Sequence, residues 1–233
     1  MIRSRFLSAL CAALAATTLL PFLAPPAGAA ADYKVDELKE SPPEGLSPEM
    51  RAALGKSGFR VTSPAGKVVC DIWLRDKLPV LEKFGEKLDM KYPIDPGTLV
   101  GAVRYGSASS DYRKQAVKAG VYTLRYGHQP QDGNHIGTAV YRDFLILAPI
   151  AQDKAVDGVS QDKAMDWSKK VAGTTHPAII SLLPPQKGRD PLPAMVHEDT
   201  LDLEVLVAKT TTAPGAQAKE IQIELVAVGY APE

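Results

Sequence analysis

The chain has 233 residues, with 27 basic against 27 acidic side chains, four histidines and two cysteines. Balanced charge without a polybasic run offers no field for steering towards nucleic acid or an anionic membrane surface. The length suits one domain with a real core once a leader of about thirty residues is set aside.

Residues 1–30 read as a signal peptide. Arg3 and Arg5 form the positive start, an apolar run follows from Phe6, and Gly28 to Ala31 supply small residues for signal peptidase. Pro21, Pro25 and Pro26 interrupt the run and no second apolar span follows, so no transmembrane span is expected after processing. Cys11 follows Leu10, where lipidation requires a small residue, and is not read as a lipid site. Loss of Arg3 and Arg5 leaves 25 basic against 27 acidic side chains, a net charge of −2. The expected destination is the periplasm or the medium.

Residues 31–46 are polar and proline-bearing and read as a polar leader. Ser47, Pro48 and Glu49 form a helix start, with Gly58 as its stop and Lys56 as its expected end. From Phe59 the period changes to two. FRVTS and KVVCDIWLR are strands joined by a turn at Pro64 and Gly66. Cys70 shares parity with Val68, Ile72 and Leu74, which marks it as a buried thiol on an apolar strand face. As the one cysteine left after processing, it has no intramolecular disulfide partner. Residues 76–96 read either as a short helix or as a loop, since Gly85 interrupts the apolar spacing of PVLEKFGEKLDM.

TLVGAVRYG is a strand, DYRKQAVKAGVYTLRYG reads as a hairpin turning at Lys118 to Gly120, and the continuous apolar run FLILAPI suits a strand covered on both faces. SQDKAMDWSKKVAG is a second helix, capped by Ser160 and stopped by Gly173. AIISLLPP, TLDLEVLVAK and EIQIELVAVGY complete the strands. In the last two, Leu201, Leu203, Val205 and Val207 share one face, and Ile221, Ile223 and Leu225 share another. Strands and helices do not alternate, which argues against a parallel doubly wound sheet. The expected fold is mainly β: an antiparallel β-sandwich with two short helices, forming a single domain over 47–233.

KAGVYTLRYGHQPQDGNHIGTAVYRDFLILAP (118–149) and GTTHPAIISL (173–182) resemble an uncharacterised family of exported bacterial proteins. In that family a strand ending in YTLRY is followed by a DGNH loop and an RDFLLL strand. The AGVYTL strand is also similar to one in small exported β-sandwiches, including transthyretin-like and carboxypeptidase-regulatory-like domains. These resemblances imply export and a β fold, and carry no catalytic residues.

The stretch 127–143 concentrates the polar chemistry. Asp-Gly within it favours a tight turn, since glycine accepts positive φ and the aspartate bonds to the backbone beyond. A second reading is a recognition surface of Asp132, Asn134, His135 and Arg142 for a glycan, peptide or other envelope partner. A third is a metal site of His128, Asp132 and His135 with His176, suited to zinc or another transition metal acting on water as a Lewis acid. Arg125 and Arg142 are expected to pair with Asp132 or Asp143. His197 reads as a surface residue. Trp73 and Trp167 are open to two readings, a sugar platform or sheet packing. No nucleophile elbow and no phosphate-cradling glycine loop occurs. The functional expectation is an exported, non-catalytic binding or structural module using the 127–143 loop. The alternative is a metal-dependent hydrolase or oxidoreductase with its site in the same loop.

Overall fold

Period-two sequence builds two packed β layers. The structure, a computed structural model, describes residues 32–84, 90–129, 140–217 and 219–231. The larger layer is an antiparallel sheet of seven strands. These are β1 (Lys34–Leu38), β2 (Gly58–Thr62), β3 (Val68–Leu74), β4 (Leu99–Tyr105), β7 (Gly120–His128), β8 (Asp143–Pro149) and β9 (Ile179–Ser181), in that spatial order. The smaller layer is a meander of β10 (Ala194–Glu198), β11 (Leu203–Thr211) and β12 (Glu220–Val228). Between β4 and β7 the chain makes a miniature ladder, β5 (Ser109–Ser110) with β6 (Ala116–Val117). The fold is mainly β with two short helices, as the patterning predicts.

The sandwich core lies between the layers. Cys70, Ile72, Leu74, Val103, Leu124 and Leu145 project from the large sheet and meet Leu206, Ala208, Ile223 and Leu225 of the small one. The opposite face of the large sheet is also covered. Trp73, Leu99 and Ala102 pack on Leu46 and on Met50 of helix α1 (Pro48–Ala53). Phe144 and Ile146 pack on Ala164 of helix α2 (Gln161–Ala172). This two-sided burial explains the unbroken apolar run of β8.

The helix signals work as read. Ser47 Oγ accepts from Met50 N–H at 3.3 Å, Ser160 Oγ accepts from Lys163 N–H at 3.3 Å, and Gly173 ends α2 at φ 67°. Helix α1 stops short of the expected Lys56. Leu54 is extended and bridges Arg75, so pairing with the sheet ends the helix.

Two further expectations change, and one strand proves covered on both faces. The polar leader is structured: Lys34–Leu38 pair with β2 as an edge strand. Its hold comes from Asp71, a carboxylate with 4% exposure. Asp71 accepts from Arg60 Nε at 2.7 Å and Arg104 Nη2 at 2.6 Å, and Arg104 also reaches Glu40 Oε2 at 2.8 Å. Trp73 Nε1 donates to the Glu40 carbonyl at 2.9 Å, so this fully buried tryptophan is a packing residue and no sugar platform. The expected hairpin over 111–127 also differs. β6 pairs with β5, while β7 pairs with β4 and β8, because Asp111 folds residues 111–115 into a turn of their own. Finally, β11 buries both faces: Leu203, Val205 and Val207 lie under Tyr112, Leu183 and Leu192, behind the face that meets the core.

Asp132 lies outside the described residues, and Arg125 pairs not with Asp143 but with Asp153. Both side chains are fully buried, with Nε to Oδ2 at 2.6 Å and Nη2 to Oδ1 at 2.7 Å. Arg125 also donates to the carbonyls of Gly97 (2.8 Å) and Ala155, and the Thr123 hydroxyl donates to Asp153. Removing one partner strands the other charge in a dry site. Arg125→Met is therefore expected to cost about 3–5 kcal/mol in urea unfolding. Arg125→Met combined with Asp153→Leu is expected to recover much of that loss, because no lone charge remains.

Burial pushes the Asp71 carboxyl up, but the guanidinium groups of Arg60 and Arg104 outweigh it and hold the group below its ordinary value. A folded-state pKa below the unfolded one gives stability that is present above the unfolded pKa and lost as pH falls through the folded one. Urea midpoints taken from about pH 6 down to about pH 3 are expected to fall more steeply for the native chain than for Asp71→Asn.

Candidate functional site

The stem of the 127–143 loop is built by strand pairing and one side chain from the first turn of a helix. His128 closes β7 opposite Asp143, the first residue of β8. Gln129 N–H donates to the Arg142 carbonyl at 2.9 Å, and the Arg142 guanidinium returns a bond to the Gln129 carbonyl. Gln161, at the start of α2, brackets the His128 backbone. Its Oε1 accepts from His128 N–H at 2.8 Å and its Nε2 donates to the His128 carbonyl at 3.2 Å. Beneath the stem, Asp143 accepts from the Tyr126 hydroxyl and from Lys91 N–H at 3.2 Å. Burial pushes the Asp143 carboxyl up, against the pull of those donors and of His128 nearby.

Asp132, Asn134 and His135 lie outside the described residues. Of the remaining nominated residues, Arg142 is committed to the stem and His128 stands at its base. His176 is elsewhere. It is exposed in the turn after α2, where its backbone bonds to Thr174 Oγ1. The twelve residues of α2 span about 18 Å and separate the two histidines, one before each end of the helix. The sheet gives a similar measure. Ala178 bonds to Leu147, four residues along β8 from the partner of His128, or about 14 Å. Ligand atoms of one ion sit about 2 Å from it. These spans hold His128 and His176 apart, while Asp132 and His135 of the expected metal set lie outside the described residues. Among the described residues no three His, Cys, Asp or Glu side chains gather as metal donors. His197 lies exposed in β10, with Nδ1 3.0 Å from Glu204 Oε1, and that bond raises its pKa.

A concave feature lies at the other end of β7. There a cleft of about 370 Å³ opens where the start of β1, the β2–β3 turn, the 105–112 segment and the end of β12 meet. Tyr33, Tyr105, Tyr112 and Tyr230 line it, with the hydroxyls of Ser107, Ser109 and Ser110. It adjoins a second lobe of about 420 Å³, and the two share Tyr33, Val228, Gly229 and Tyr230. Both fall within the size range of small-ligand sites, about 300–1,000 Å³.

Tyr105 and Tyr112 are buried, and desolvation raises both phenols. Tyr230 is 44% exposed; its hydroxyl is 2.9 Å from Ser110 Oγ, and Lys114 Nζ lies 5.8 Å from its ring centre. Asp111, the carboxylate of the first lobe, already accepts four N–H bonds. They come from Arg113 N (2.9 Å), Gln115 N (2.8 Å), Gln115 Nε2 (2.8 Å) and Ile179 N (3.1 Å). Sequence reading missed this cleft. Its one local sign is SASSDY (107–112), a cluster of hydroxyls ending in an aromatic residue.

No protein-family model, curated protein or solved structure matches this chain.

The floor of the sandwich also settles the cysteine. Cys70 is 2% exposed, and burial, with Asp71 beside it, pushes its thiol up to about 12. Only thiolate reacts readily, so Cys70 is expected to ignore Ellman's reagent at about pH 8 in folded protein and to react fully in guanidinium.

Proposed function

We propose that this chain is an exported, non-catalytic binding module of the bacterial cell envelope that holds its ligand in the tyrosine-lined cleft. Export rests on the signal-like residues 1–30, and among the described residues no helix is long and apolar enough to cross a membrane. The observation that carries the binding role is the pair of adjoining lobes, which brings tyrosines and serines from four separated segments to one concavity. Such convergence of apolar walls with a few polar groups is the usual form of a ligand site. The rival seat of binding is the 127–143 loop, on the polar composition of Asp132, Asn134, His135 and Arg142.

Protein recovered after export, screened on glycan and peptide arrays, tests the assignment. Ser110→Trp fills the cleft and is expected to abolish ligand capture. The paired change Asp132→Ala with His135→Ala is expected to leave capture unchanged. The reverse pattern would move the binding surface to the loop. Stoichiometric metal in untagged protein, lost in His135→Ala, with no capture on either array, would replace this reading with the metal-dependent enzyme.

A further inference from the structure

We infer that the ligand of the cleft is a short saccharide chain lying across Tyr230 from one lobe into the other, an assignment that rests on the cleft being the binding surface. A pyranose ring has an apolar C–H face and a rim of hydroxyls that both donate and accept. Tyrosine has the same division, an apolar ring and a hydroxyl tip, and serine hydroxyls rotate to suit either role. The first lobe offers both kinds of group, since Tyr33, Tyr105, Tyr112 and Tyr230 line it together with Ser107, Ser109 and Ser110.

Charge narrows the class further. Among the described residues lining the first lobe, Asp111 is the one carboxylate, and its four N–H partners leave it committed to the turn. A cationic ligand group finds no unsatisfied acid there. Hydrolysis of a glycosidic bond also takes two carboxyl groups flanking the bond, one as acid and one as base or nucleophile. The first lobe, where Lys67 is the other charged residue, therefore lacks such a pair; the second lobe adds Lys114, Asp202 and Glu204, with Glu204 bonded to His197.

Tyr230 is placed as a saddle. Gly229 has φ +116°, and a Cβ there would lie 2.5 Å from Leu203 Cδ2. Only glycine turns the chain at that point, and the turn delivers Tyr230 to the boundary shared by both lobes. A chain longer than one ring thus rests its middle on this tyrosine and its ends in separate lobes.

Isothermal titration of the exported protein with chitotetraose, cellotetraose and maltotetraose, beside the peptides of the array, tests the inference. At least one tetrasaccharide is expected to bind, and the matching disaccharide to bind about tenfold more weakly because it fills one lobe. Tyr230→Ala is expected to weaken the tetrasaccharide about tenfold or more, while Tyr230→Phe, which keeps the ring, stays within about threefold. Unchanged affinity in Tyr230→Ala overturns the saddle. Peptides that bind the cleft while no saccharide does would overturn the saccharide assignment and leave the binding module standing. Binding of neither class overturns both.

Discussion

A buried charge has to be partnered, and a long connection has to find partners for its backbone. In this fold the two needs meet. Arg125, on the interior strand β7, is fully buried and takes in Asp153 and the carbonyls of Gly97 and Ala155. Two irregular segments are thereby fixed to the outer face of the sheet. The same device recurs. Asp71 secures Glu40 through Arg104, Asp143 secures Lys91, and Asp111 secures its own turn to β9. Glu224, with no exposure, accepts from Gln186 N–H at 2.5 Å and stands 3.4 Å from Arg189 Nε. Each charge would be costly alone in a dry interior, and each connection would leave backbone groups unpaired. Together they give a sandwich whose long connections are tied down by buried ion pairs and hydrogen bonds.

This arrangement explains which features were readable from the residues in order. Strand periods and helix caps are local, so β3, β8, β11 and β12, and the caps at Ser47, Ser160 and Gly173, emerge from neighbouring side chains. The charged staples are non-local. KVDEL looks like a solvated leader until β2 supplies its ladder and the Asp71 cluster anchors Glu40 just beyond it. AQDKAVDG looks like a surface loop, yet its Asp153 is the partner of Arg125, 28 residues earlier. Residues 111–127 contain a turn signal at Lys118 to Gly120, but Asp111 gathers a tighter turn first and sends β7 to β4.

The candidate site obeys the same rule. A dense run such as GHQPQDGNH attracts attention because its donors are adjacent in sequence, and adjacency is what a one-dimensional reading sees. The tyrosine cleft has no such run. Tyr33, Tyr105, Tyr112 and Tyr230 are scattered over most of the mature chain; Tyr33 reads as part of a polar leader and the others as strand or hairpin residues. They meet because antiparallel pairing brings the start of β1, the end of β4 and the end of β12 to one end of the sandwich.

Rigidity at that end bears on how the cleft would bind. Tyr105 is held against Tyr122 with ring centres 6.3 Å apart, and the Tyr122 hydroxyl donates to the Lys118 carbonyl at 2.9 Å. Tyr112 N–H donates to the Ile179 carbonyl at 3.0 Å, and Ala231 N–H to the Tyr112 carbonyl at 2.8 Å. The floor is therefore ordered by contacts within the protein itself. Ordering side chains on binding ordinarily costs about 0.5–1.5 kcal/mol for each flexible group. Here that cost is confined to rim groups such as Tyr230 and Lys67, which are exposed. A weakly attractive surface of phenols and hydroxyls thus retains more of its contact energy than the same groups would on a loose loop. The staples that brace the sandwich and the shape of its cleft are in this sense one property.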